Sequence, residues 1–203
     1  MVVKNYYVYG LAESIFRSGY AMLKSAPDEV EFMREVKAIE KSIKDNDLDN
    51  RHIQRAIKLA HSETGGHDQY LTGIIVQGDF TFTNKVWIEA ERYRFFYFIT
   101  SMSTMHRMGS FDLHAHFNEH VDERVKEIMY ELLEKYKKNP EDKNAFLKLV
   151  HTNPAGFKLM SSMTTNYRCL KNMYRQRTNH KLKDWNEFCE WVEELPLARQ
   201  LIL

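Results

Sequence analysis

The residues best placed to do chemistry lie in the stretch TTNYRCLKNMYRQRTNHKLKDWNE, near the C-terminus. Read as a helix from Thr165 to about Thr178, it has an apolar face of Leu170, Met173 and Tyr174, and Asn166 and Arg177 fall on that same face. Arg168, Lys171, Asn172, Arg175 and Asn179 take the opposite side, which reads as an ordinary solvated basic surface. Arg177 is different. A guanidinium stays protonated in a protein and is costly to bury without an anion. Either one of the chain's own carboxylates meets it, the commoner solution, or it serves an anionic ligand.

A second cluster, FDLHAHFNEHVDE, sets Asp112, His114, His116, Glu119 and His120 in an H-x-H-x3-H pattern. Neutral imidazoles at such spacing can chelate a transition metal. Histidines in charged turns are more often just solvated, and no fourth ligand is fixed by the pattern. No metal is assigned on this basis. The chain contains neither G-x-G-x-x-G nor a P-loop, so any dinucleotide would be held without those phosphate loops.

The ordered set Asn166-x-Arg168-x3-Asn172-x4-Arg177, then His180, then Trp185-x-Glu187, resembles the C-terminal signature of the flavin-dependent thymidylate synthases (ThyX). That family reads roughly N-x-R-x3-N-x4-R, a loop with a histidine, then A-Q-W-E. Upstream, the family has a histidine ahead of an R-H-R motif, with a strand between. Here His67 precedes Arg92-Tyr93-Arg94 by 25 residues. Lys148-Leu149-Val150-His151, followed by Pro154, stands where the family has a basic residue before a V-L-P-like segment.

The departures are specific. FFYFITSMSTMHRM replaces the family's S-x-N-E-x-S-x-R-Y nucleotide loop, leaving Ser101, Ser103 and Arg107 as candidates for its serine and arginine roles. A family glutamine becomes Glu89, and Lys183-Asp184 replaces alanine-glutamine before Trp185.

The resemblance implies a chemistry in which reduced FAD delivers hydride, methylenetetrahydrofolate supplies one carbon, and dUMP accepts it at C5, with NADPH as reductant. It implies Arg177 as the catalytic residue. Glu89, Ser101, Ser103, Arg107, Lys148 and Arg177 would meet the nucleotide; His67, Arg92, Tyr93, Arg94, Asn166, Arg168, Asn172 and His180 would meet FAD. Arginines suit this work because they hold phosphates bidentately and stabilise charge developing on a ring. No cysteine nucleophile is needed. The family builds its sites between subunits, which implies a homotetramer. Two alternatives stand beside this reading: a non-catalytic scaffold or binding protein that keeps the ThyX fold, and a His-cluster metal-binding protein. A duller account also exists for the arginines, since Glu89 with Arg92 and Glu91 with Arg94 are three apart and suit helical ion pairs.

The elements that must position these residues follow from periodicity and breaks. Val2 to Tyr9 predicts a strand ending at Gly10, and Ser14 to Leu23 a short helix. Pro27-Asp28 starts a helix over EVEFMREVKAIEKSIK, and Asn50 or Asp49 caps another over RHIQRAIKLAHSE, which Thr64-Gly65-Gly66 ends. Tyr70 to Gln77 predicts a strand stopped by Gly78-Asp79. From Asn84, KVWIEAERYRFFYFITSMSTMHRM predicts one long helix, enclosed on several sides because its aromatics point in nearly every direction. Gly109 to Asn118 is a break. Helices follow from about Val121 to Lys138, from Asp142 to Val150, and from Asp184 to about Leu195.

Long helices with two clear strands make the class α+β, with a small sheet packed by long helices, and the resemblance implies a ThyX-like fold. The 203 residues, 43% hydrophobic and 28% charged, suit one domain over 1–203 with a sizeable core. A net charge of +1 argues against nucleic acid or membrane as partner. Two cysteines without metal-type spacing read as reduced thiols in a cytoplasmic protein.

Overall fold

A computed structural model describes residues 3–63 and 65–203. In chain order the elements are β1 (Val3–Tyr9), α1 (Leu11–Arg17), α2 (Glu29–Lys44), α3 (Arg51–Ala60), β2 (Ile75–Thr83), α4 (Asn84–Ala90), β3 (Tyr97–Ser101), α5 (Thr104–Arg107), α6 (Leu113–His116), α7 (Glu123–Lys138), α8 (Lys143–His151), β4 (Lys158–Asn166), α9 (Tyr167–Arg177), α10 (Lys183–Glu193) and α11 (Ala198–Leu201). Short 3-10 turns occupy Tyr20–Met22, His67–Gly73 and Met108–Ser110. Val2 and Thr64, the expected first residue of the first strand and part of the expected stop of the third helix, lie outside the described residues.

The four strands form one antiparallel sheet in the order β1-β2-β4-β3. Along β2 the alternation is strict. Val76, Phe80 and Phe82 point into the core, while Gln77 on the other face is exposed. Gly10 bends the chain from β1 into α1 in the left-handed region (φ 71), and a Cβ there would lie 2.7 Å from the Gly73 carbonyl oxygen. The inner face of the sheet is covered by α1 to α4 and α9 to α11, whose buried residues include Ile15, Ile39, Ile53, Trp87, Leu170, Met173, Trp185, Phe188 and Trp191. The segment between β3 and β4 makes a smaller second core from Met108, Leu113, Phe117, Met129, Leu133, Leu149 and Phe157.

Capping sets most helix starts. Asp28 accepts the Glu31 N–H, Asn50 the His52 N–H and Asp142 the N–H groups of Asn144 and Ala145, each satisfying an orphan donor at a first turn. These starts agree with the sequence reading, as does the buried face of α10.

Three expectations are corrected. The long enclosed helix after Asn84 does not form: α4 ends at Ala90, the chain turns through Phe95 at φ 72, and Tyr97–Ser101 becomes β3. A run apolar in every direction suits a strand as well as a buried helix, and the free edge of β4 takes it as a strand. The strand expected at Tyr70 to Gln77 begins later and runs through Gly78-Asp79 to Thr83. Asp79 is tolerated there because its carboxylate accepts from Ser162 at 2.8 Å and Asn5 at 2.9 Å. β4, rich in serine and threonine, pairs on both sides and is a strand that periodicity misses.

This topology gathers one end of the sheet. The start of β2, the end of β4 and the start of β3 lie together, with Ile75 opposite Asn166 and Tyr97 opposite Thr164. The turn His67–Gly73, the helix α9 and the turn between α4 and β3 therefore meet there.

Candidate functional site

At that end lies a cleft of about 720 Å³, walled by α9, by residues 89–95 and by Asp68 and Thr72 of the His67–Gly73 turn. Arg92, Arg94, Arg168, Lys171, Arg175 and Arg177 line it, against only two carboxylates, Asp68 and Glu89. The side of α9 that reads from sequence as a solvated basic surface is thus a wall of the cleft. Lys171 and Arg175, spaced three and seven residues from Arg168, share its face by helical geometry, and that spacing is the signal that could have marked them. Asp68 carries no such signal, because only the fold brings it to α9.

Arg177 meets an internal carboxylate. Its Nη1 donates to Glu89 Oε2 at 2.8 Å, with both side chains 12% exposed. Its Nε donates to the Tyr93 hydroxyl at 2.7 Å, and the guanidinium lies 4.4 Å from the Trp185 ring centroid. The same Glu89 oxygen accepts the Trp185 indole N–H at 3.0 Å, while the other pairs with Lys85 at 3.1 Å. Burial pulls the Glu89 carboxyl upward, but the hydrogen bonds from Trp185 and Lys85 and the charge of Arg177 outweigh it, and the net shift is downward. His180 accepts the Leu182 N–H on Nδ1 at 3.1 Å, and its Nε2 lies 3.4 Å from Arg177 Nη1 and 4.0 Å from Glu89 Oε2. The Tyr93 hydroxyl in turn donates to Gln176 Oε1 at 3.0 Å, and Gln176 Nε2 donates to Asn172 Oδ1 at 2.9 Å.

Other side chains are engaged in different ways. Arg168 pairs with Asp68 at 3.1 Å and donates to Gln69 at 2.7 Å. Asn166 is buried and caps α9, its Oδ1 accepting the Cys169 N–H at 2.9 Å. Arg92 and Arg94 are exposed on the turn, and among the described residues no carboxylate pairs with either, nor with Arg175. The ion pairs expected of Glu89 with Arg92 and Glu91 with Arg94 do not form, because the helix that would have spaced them ends at Ala90.

The cleft brings together Glu89, Arg92, Tyr93, Arg94, Asn166, Arg168, Asn172 and Arg177, and His180 stands behind Arg177. It does not include His67, Ser101, Ser103, Arg107 or Lys148. His67 is exposed at the start of its turn, and Lys148 is exposed on α8. Ser101 sits in the β3–β4 ladder opposite Ser161, Ser103 caps α5 by accepting the His106 N–H, and Arg107 ends that helix.

The metal alternative fails on geometry. Among the described residues no group of three His, Cys, Asp or Glu side chains could hold a metal ion. His116 stacks between Phe111 and Phe157 and bonds the Lys158 carbonyl at 2.6 Å, while His114 packs on Tyr130. No helix among the described residues is long and apolar enough to cross a membrane.

Comparison with solved structures gives the architecture. Two crystal structures of the ThyX from Helicobacter pylori with FAD and dUMP superpose on the chain at TM-scores of 0.63 and 0.64. Each covers 99% of this chain, and 95% and 96% of the ThyX chain respectively, at 14% identity. The fold is ThyX-like. No family model and no curated protein matches the sequence. The likeness is therefore one of architecture, at 14% identity.

Proposed function

We propose that the cleft binds FAD together with a pyrimidine nucleotide, and that the protein carries out flavin-dependent methyl transfer to C5 of that nucleotide. The observation that carries this reading is the excess of cations over carboxylates in a cleft of ligand size, within a ThyX-like fold. The donor set suits a flavin dinucleotide: Arg92, Arg94 and Arg175 have no carboxylate partner among the described residues, which leaves their N–H groups for a diphosphate. When bound, the flavin would supply hydride, with methylenetetrahydrofolate as one-carbon donor and NADPH as reductant. The chain's own part is positioning and electrostatics. Arg177, fixed by Glu89 and Tyr93, lines the cleft and has N–H groups beyond those two bonds, which can donate to a ring carbonyl. Arg168 and Lys171, paired with Asp68, are cations farther along α9 in the same lining.

The residues outside the cleft fit a site completed by a second copy. Ser101 belongs to β3, an uncharged edge strand, and Phe95, Tyr97, Phe98 and Ile99 are each 44–53% exposed. Phe95 also lines the cleft, so a copy seated on this edge would close it.

The test is direct. The purified protein should be yellow, with absorbance near about 450 nm and FAD released on denaturation, and should turn over dUMP with methylenetetrahydrofolate and NADPH. A colourless protein that ignores added FAD would sink this reading. A second reading, a ThyX-fold binding protein without turnover, is favoured by the engagement of Arg177 with Glu89. FAD binding without product formation would select it.

A further inference from the structure

Of the two carboxylates that line the cleft, Glu89 stands against Arg177, the least exposed of the lining cations, and that pair marks the cleft's inner end. Oε2 accepts from Arg177 and from the Trp185 indole, and Oε1 pairs with Lys85. The shape-conserving alternative at this position, a glutamine, would keep an acceptor oxygen for Arg177 or Trp185 but remove the negative charge. What the charge adds is neutralisation. Arg177 is the least exposed cation of the cleft, packed on Trp185 and Tyr93, and a 2.8 Å contact to a carboxylate of equal burial offsets its field toward the cleft. The outer cations differ. Arg92, Arg94 and Arg175 keep their full charge, and Asp68 offsets only part of that on Arg168 and Lys171.

The Arg177–Glu89 pair facing the cleft is therefore neutral as a unit, with Lys85 on the carboxylate's other oxygen and outside the lining, while the exposed, outer end of the cleft is cationic. The geometry points to Glu89 as a specificity-determining residue: it reserves the inner end for an uncharged hydrogen-bonding edge, such as the carbonyl and N–H groups of a heterocyclic ring, and turns anionic groups away to the outer cations. An anion seated on Arg177 would stand beside the Glu89 carboxylate, at a cost no remaining N–H group of Arg177 offsets. The identity of the ring rests on the function proposed above. The exclusion of anions from the inner end does not.

The test uses inorganic pyrophosphate as the anionic probe, titrated calorimetrically into the full chain cleared of bound small molecules by gel filtration in high salt. Glu89→Gln should bind pyrophosphate at least about tenfold more tightly than wild type, the order of one charge-assisted hydrogen bond gained. The double variant E89Q/R177Q, again neutral at the inner end, should return to within about twofold of wild type. An unchanged affinity in E89Q overturns the inference, as does a double variant that stays tight or falls about tenfold below wild type. Should E89Q fail to give a cooperative melt, the double variant alone decides. It supports the inference if its affinity matches wild type, and refutes it if Arg177 proves to have been supplying net charge. Flavin content is measured separately, so a protein without FAD that passes this test loses its proposed activity and keeps its gate.

Discussion

Tyr93 is the residue through which the cleft's inner end is tied to α9. Its hydroxyl accepts from Arg177 and donates to Gln176, so one oxygen uses both its donor and an acceptor position. Burial raises its pKa against the opposing pull of Arg177, which keeps the phenol a donor at neutral pH. Tyr93→Phe leaves the ring packed on Trp185 and removes only these two bonds. The expected loss is about 1–3 kcal/mol of stability, because a largely buried guanidinium N–H is left unmet. Urea denaturation measures it, and an unchanged midpoint would show that water replaces the hydroxyl. In the same variant Arg177 keeps Glu89, so pyrophosphate affinity should stay near that of wild type. Loss of affinity there would separate the tyrosine's role from that of the carboxylate.

Among the elements, the α2–α3 junction carries a titratable network far from the cleft. Arg55 Nη2 donates to His52 Nδ1 at 3.1 Å and to the carbonyls of Ile15 and Phe16, fastening the end of α1, and His52 Nε2 meets Glu35 Oε2 at 2.9 Å. Burial pushes the His52 pKa below its ordinary 6.5 despite the Glu35 contact, and the His52 hydrogen bond holds the Glu35 carboxyl down to about 2. Both shifts have the same sign for stability. As pH falls below 6.5 the unfolded chain protonates its histidine first, and below 4.5 it protonates its glutamate first, so the folded state loses ground in each window. The urea midpoint should decline from pH 6.5 and decline further from pH 4.5 toward 2. His52→Gln should flatten the upper part of that decline, and a variant as steep as wild type there would remove His52 as its source.

For the whole molecule, the sheet ends on one side in β3, a strand with no charged residue, whose Tyr97, Phe98 and Ile99 are exposed. Soluble proteins usually blunt such an edge with lysine, proline or cover. A second copy is the proposed cover, and Ile99→Lys tests it. Ile99 sits at the irregularity between Phe98 and Thr100 in the β3–β4 register, so the substitution spares the paired positions and the core. Light scattering should give an assembly for wild type and a smaller species for I99K. A wild-type monomer at micromolar concentration would end the idea of a shared site.

The sequence by itself determined what local rules can decide. Asp28, Asn50 and Asp142 announce their helices because a cap acts on the next turn, and the faces of α9 and α10 are legible because 3.6-residue periodicity needs no partner. The ordered Asn166, Arg168, Asn172 and Arg177 carried the resemblance to ThyX, a likeness of motif that local rules do not supply. Only the tertiary structure decided whether FFYFIT is helix or strand, since a run apolar on every side satisfies both until β4 offers it an edge. It alone made β4 a central strand out of serines and threonines, and brought Glu89 and Asp68 across the fold to Arg177 and Arg168. Which cation keeps its charge is settled by what stands opposite it in space, and one-dimensional spacing cannot encode that.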